Sequence, residues 1–167
     1  TSLIPTYGAV RTRLQDSVTG AGTVSDFNSE GVLFVEASAL VDSDGLDHTF
    51  ELNNGLSGNY ISLRYSVVSN LIRIYIYKDS VQQFFYQTTS YDVLNFNKIA
   101  IKYKENDASV YINGVEVASS NTISIPIGLN NLDFSNFVGG IPFFGKTSQV
   151  QVFKTALTDA ELITLTT

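Results

Sequence analysis

The segment Phe96–Val117 restricts the fold more than any other part of the chain. It reads Phe96-Asn97-Lys98-Ile99-Ala100-Ile101-Lys102-Tyr103-Lys104, then a polar Glu105-Asn106-Asp107, then Ala108-Ser109-Val110-Tyr111-Ile112-Asn113-Gly114-Val115-Glu116-Val117. Ile99, Ile101 and Tyr103 alternate with Lys98, Ala100, Lys102 and Lys104, the period of a strand with one wet face. Asn113-Gly114 supplies the positive φ that a two-residue hairpin turn requires. A chain organised around such a hairpin is committed to antiparallel sheet.

Strand signals recur at close spacing from Glu30 onward. Gly31 to Ala37 carries Val32 and Phe34 on one face and Leu33 and Val35 on the other, which predicts a central strand covered on both sides. A turn at Asp42–Asp47 leads into a strand from His48 to Leu52. The Asn- and Gly-rich stretch Asn53–Asn59 reads as a loop, with some capacity to line a binding rim. Strands follow at Tyr60–Tyr65, Leu71–Tyr77 and Gln82–Thr88, with turns near Ser69-Asn70 and Lys78-Asp79-Ser80. Further strands are expected near Ser119–Ser124, Leu129–Phe134 and Gly145–Phe153. This pattern predicts an all-β antiparallel sandwich. Thr158-Asp159-Ala160-Glu161 is a capping box that opens a short C-terminal helix, whose Ala160, Leu162, Ile163 and Leu165 offer an apolar stripe for docking. Residues 1–29 read as a linker or N-terminal extension with room for one first strand, and residues 30–167 as the sandwich.

With 167 residues, 44% of them hydrophobic, the chain suffices for one domain with a packed core. It has no Cys, which removes disulfides, thiolate metal sites and a cysteine nucleophile. No apolar run approaches a membrane span, so membrane insertion is not expected. The net charge of −6 disfavours nucleic acid as a partner. Lys98, Lys102 and Lys104 on one strand read as a solvated edge or face.

Three kinds of chemistry compete with plainer readings. Asp42, Asp44 and Asp47 around Gly45 place three carboxylates in one turn, and hard oxygen ligands suit Ca²⁺. Asp and Gly are also ordinary turn residues, and the preferred reading is a turn with no metal and no cofactor. Arg73, Tyr75 and Tyr77 share one strand face opposite Ile72, Ile74 and Ile76; Arg64 faces the same way if Ile61, Leu63 and Tyr65 point inward. That Arg/Tyr face is the candidate ligand site, against the alternative that its tyrosines merely cover the sheet. For catalysis the chain offers little: Glu36, Glu51 and Glu116 are each alone on their strands, His48 is the only histidine, and no nucleophile elbow occurs. The expectation is a protein that is not an enzyme.

The stretches E-G-V-L-F-V-E-A-S-A-L, I-S-L-R-Y-S, N-L-I-R-I-Y-I, F-N-K-I-A-I-K-Y-K-E-N-D-A-S-V-Y-I-N-G-V-E-V and F-F-G-K-T-S-Q-V-Q-V-F-K-T-A-L-T-D-A-E-L-I-T-L-T resemble the laminin-G-like, concanavalin A-like jelly roll. The likeness covers roughly residues 30–167 and is similar to the C-terminal module of bacteriophage tail-fibre and related virion appendage proteins. It implies a jelly-roll sandwich, a place on the virion or otherwise outside the cell, and homotrimerisation within a longer chain. Thr1-Ser2-Leu3-Ile4-Pro5-Thr6 resembles the segment that closes a preceding module in such proteins. The function this implies is adhesion to a host-surface glycan or other receptor, with Arg64, Arg73, Tyr75 and Tyr77 as the residues of the site. Two alternatives stand beside it: a structural spacer or decoration domain of a virion, and a carbohydrate-binding module of a larger secreted bacterial protein.

Overall fold

A computed structural model describes residues 20–23, 26–27, 29–65, 68–136 and 139–167. The Thr1–Thr6 segment and most of the proposed N-terminal extension lie outside these. Among the described residues, ten strands and one helix follow in chain order: β1 (Gly31–Ala39), β2 (His48–Asn53), β3 (Tyr60–Tyr65), β4 (Ile72–Lys78), β5 (Val81–Thr88), β6 (Asn97–Tyr103), β7 (Ala108–Ile112), β8 (Val115–Ser120), β9 (Asn131–Asp133), β10 (Gly145–Phe153) and α1 (Asp159–Thr166). They form two five-stranded sheets, ordered β10-β1-β6-β7-β8 and β5-β4-β3-β2-β9. Among the described residues, each pair of neighbouring strands is antiparallel.

Alternation explains the sandwich. Leu33 and Val35 from β1, Phe50 and Leu52 from β2, Ile61 and Leu63 from β3, Ile72, Ile74 and Ile76 from β4, and Ile99 and Ile101 from β6 meet in one buried core. Each fully buried side chain of this kind contributes roughly 1.5–3 kcal/mol relative to exposure. Phe27 joins this core, and Ala21 bridges Leu132 of β9, so these two residues ahead of 30 pack on the sandwich.

The expected central strand is β1, paired with β10 on one side and β6 on the other. Its outward Val32 and Phe34 form a second apolar cluster with Ala100, Tyr111 and Leu162, so α1 covers the back of the first sheet. The capping box is present: Thr158 accepts from the Glu161 amide, and Glu161 accepts from the Thr158 amide. The expected apolar stripe is narrower than its sequence suggested. Leu162 is buried and Leu165 packs partly, while Ile163 is exposed and Thr166 takes a buried place. Thr166 accepts from the Gly114 amide, and Lys98 donates from Nζ to the Thr167 carbonyl, tying the helix end to the hairpin.

Asn113 and Gly114 both have positive φ, 50° and 83°, and Ile112 pairs with Val115 across the turn. The strand expected at Ser119–Ser124 therefore begins earlier, at Val115, and ends at Ser120, because the two-residue turn returns the chain immediately to pairing. The solvated lysine edge is also corrected. β6 lies inside its sheet, and Lys102 is buried, paired with Asp107 at 2.7 Å and Asp159 at 3.4 Å. Lys104 reaches Glu30 at 3.5 Å. Against its desolvation, Asp107 and Asp159 hold the Lys102 ammonium above its ordinary pKa. The sequence could not show that α1 would bring Asp159 over this face.

Candidate functional site

The outer face of the second sheet is laid out in cross-strand rows. Tyr77, Tyr60, Asn53 and Asn131 stand in register; next to them run Phe85, Tyr75, Ser62, Glu51 and Asp133; the third row is Gln87, Arg73, Arg64 and Thr49. The inward positions between them are apolar and buried, so core packing fixes which side these groups face. The four residues singled out from sequence, Arg64, Arg73, Tyr75 and Tyr77, are thus brought together on one face.

Aromatic rings build a continuous surface there. Tyr60 and Tyr77 stack with centroids 4.8 Å apart and planes inclined by 15°. Tyr75 lies 5.0 Å from Phe85 and 6.3 Å from Tyr77. The Arg64 guanidinium sits 4.9 Å from the Tyr75 centroid and 5.8 Å from Tyr60, and Arg73 sits 5.9 Å from Tyr75. Such cation–π contacts orient a guanidinium while leaving its edge available. Arg64 Nε donates to Ser62 Oγ at 3.0 Å. A bulge between Ile76 and Tyr77 opposes Tyr77 to Gln82, whose Oε1 accepts from the Tyr77 hydroxyl at 3.3 Å.

Two acids lie against the arginines. Asp47 accepts a short hydrogen bond from Arg73 and lies 3.8 Å from Arg64. Glu51, buried on β2, lies 3.8 Å from Arg64. Burial is the main cause that pushes the Tyr60 phenol up to about 12, opposed by Arg64 and aided by Tyr77. Tyr60 and Phe85 were not singled out from sequence, where Asp47 reads as a turn or metal residue and Glu51 as a lone acid. Tyr60 was legible in principle, since it falls two and four residues before Ser62 and Arg64 on the same strand face.

The three aspartates of the β1–β2 turn separate. Asp42 accepts from Ser69 and from the Asn70 amide, Asp44 from the Leu46 amide and His48, and Asp47 from Arg73. Desolvation opposes it, yet the Leu46 and His48 hydrogen bonds hold Asp44 below the ordinary carboxylate range. His48 bridges Asp44 and the Pro142 carbonyl, a structural tie between two loops. The isolated glutamates are also spread out: Glu36 accepts from Ser148 and Glu116 from Tyr111, both on the first sheet, while Glu51 lies on the second. A polar groove of about 440 Å³ on the first sheet is lined by Lys102, Ser109, Glu116 and Asp159, without an aromatic ring to stack on.

A laminin G type family model, described as the concanavalin A-like lectin/glucanases superfamily, matches residues 28–163. The chain belongs to that superfamily. A search of curated proteins finds no significant match. Among solved structures, this superfamily member is similar to the CBM40 module of the Ruminococcus gnavus IT-sialidase bound to α2,3 sialyllactose, at 16% identity and a TM-score of 0.69, over 92% of this chain and 97% of that one. Domain 4 of AbnA, an extracellular arabinanase from Geobacillus stearothermophilus in complex with arabinotriose, aligns at 18% identity and a TM-score of 0.66, over 87% of this chain and 70% of that one. The leech intramolecular trans-sialidase aligns at 21% identity and a TM-score of 0.64, over 85% of this chain and 24% of the enzyme. At these identities the likeness establishes the fold, and the jelly-roll resemblance read from the sequence holds at that level.

Proposed function

We propose that this chain is a non-catalytic adhesion module that binds a glycan through the outer face of β3, β4 and β5. The observation that carries this reading is the adjacency of Tyr60, Tyr75, Tyr77 and Phe85 to Arg64 and Arg73 on one rigid sheet. Flat rings stack against a sugar ring, and guanidiniums donate in a fixed fork to its oxygens. The sialyllactose and arabinotriose complexes of structurally similar modules support a sugar as the ligand class. No cofactor or metal takes part in this reading.

The module works outside the cell as part of a phage virion appendage, contacting a host-surface glycan or receptor. Single-site binding is weak, and several copies in a trimeric fibre raise the effective affinity without new contacts. A second setting, a carbohydrate-binding module within a larger secreted bacterial protein, is favoured by relatives such as the leech trans-sialidase, of which the match covers only 24%.

A glycan array probed with multivalent wild-type protein and with Tyr75→Ala tests the reading. Saturable binding to a defined group of glycans, lost in Tyr75→Ala with the fold intact, is expected. No binding to any glycan would replace adhesion to sugars with the structural-spacer function.

A further inference from the structure

The second sheet holds two like charges side by side. Arg64 and Arg73 are direct cross-strand partners on the same face, an arrangement that repels unless an anion is shared between them. Their frame is built from strands: Ser62 holds Arg64 Nε, and the Tyr75 ring lies near both guanidiniums. The shared anion is Asp47, which comes from the turn that precedes β2.

Asp47 satisfies the two arginines unequally. It hydrogen-bonds Arg73 but stays 3.8 Å from a terminal nitrogen of Arg64, and Glu51 stays at the same distance from the other. Those spacings are too long for hydrogen bonds. Among the described residues, Arg64 therefore has one hydrogen bond, from Nε, and its terminal nitrogens have none. A guanidinium edge in this condition matches a planar carboxylate that can accept two parallel N–H bonds. Beside it lie the Tyr60, Tyr75 and Tyr77 rings, where the body of a sugar would rest.

We infer that the glycan bound here carries a carboxylate, and that Asp47 is an internal stand-in for it, displaced from the Arg64–Arg73 pair when the acidic sugar binds. This rests on the proposed glycan-binding face. The bound carboxylate takes both arginines, its ring lies over Tyr75, and the turn bearing Asp47 yields.

The test titrates three sugars, 3′-sialyllactose, 3′-sulfolactose and lactose, into wild type, Asp47→Asn, Arg64→Lys and Tyr75→Ala. The carboxylated sugar binds wild type at least about tenfold tighter than lactose, equivalent to about 1.4 kcal/mol. It also binds tighter than the sulfated sugar. Asp47→Asn, freed of its competitor, binds it more tightly than wild type and gains more thermal stability from it. Arg64→Lys keeps the charge but loses the fork, and binds more weakly. Equal, Tyr75-dependent binding of all three sugars would leave the glycan face standing and overturn the carboxylate inference. Preference for the sulfated sugar, or weaker binding by folded Asp47→Asn, would also overturn it. Failure of every glycan, on the array as well, would remove the proposed function itself. The wild-type comparison of the three sugars decides the ligand class even if Asp47→Asn does not fold.

Discussion

Arg64 on β3 and Arg73 on β4 stand directly opposite each other, and a single carboxylate, Asp47, lies against both. The pair therefore behaves as one electrostatic unit. A double-mutant cycle of Asp47→Asn and Arg73→Gln, read by urea unfolding, is expected to show a coupling energy of about 0.5–3 kcal/mol. Additive losses would mean that the contact holds nothing together in solution.

The two faces of β4 have different duties, and substitutions should separate them. Ile74→Ala empties a site in the sealed core and should cost about 2–5 kcal/mol. Tyr77→Ala, one strand position from the buried Ile76, removes an outward ring and should cost far less while weakening glycan binding. Denaturant unfolding of both variants, paired with a binding titration, checks the division. Comparable stability losses would show that the aromatic face is mainly packing.

Gly31 opens β1 where the neighbouring strands crowd it. A Cβ at this position would stand 2.3 Å from the Phe153 carbonyl oxygen and 2.6 Å from the Tyr103 hydroxyl. Gly31→Ala is expected to destabilise by roughly 1–3 kcal/mol, because backbone on one side and a buried phenol on the other leave little room to yield. A melting temperature equal to wild type would contradict this packing.

The Tyr60 phenol ionises at about 12 in the folded chain, chiefly because burial disfavours the phenolate. An unfolded tyrosine ionises near 10, roughly two units lower. With the folded value raised, Tyr60's contribution is fully present below about pH 10 and lost as pH rises through about 12. Tyr60→Phe should therefore lose less stability than wild type across that alkaline window, measured by unfolding at a series of pH values. Identical pH profiles would show that Tyr60 ionises alike in both states.

The helix cap offers an independent check on how the first sheet is covered. Thr158→Ala removes the acceptor for the Glu161 amide and should cost about 1 kcal/mol. Because Leu162 lies over Val32 and Phe34, the loss should appear in global unfolding. Local fraying of the helix, followed by amide exchange with unchanged global stability, would show that α1 is dispensable for the sheet.

Much of the architecture was legible because it depends on local alternation. The doubly apolar Gly31–Ala37 run became the enclosed β1, Asn113-Gly114 became the hairpin turn, and Thr158–Glu161 became the cap. The Ile72, Ile74 and Ile76 alternation fixed the outward direction of Arg73, Tyr75 and Tyr77, and the same logic oriented Arg64. What depends on distant partners was not legible. Lys102 is buried because α1 brings Asp159 to it from 57 residues away. Asp47 reads as a turn residue until β3 and β4 place Arg64 and Arg73 beside it. Glu51 is solitary on β2, and only the sheet register puts Arg64 near it.

Amide chemical-shift mapping with the strongest glycan from the array tests the binding face most directly. The account predicts saturable shifts on β3, β4 and β5 around Tyr60, Arg64, Arg73, Tyr75 and Phe85, absent in Tyr75→Ala. Shifts confined to the Lys102–Glu116 groove of the opposite sheet would contradict it.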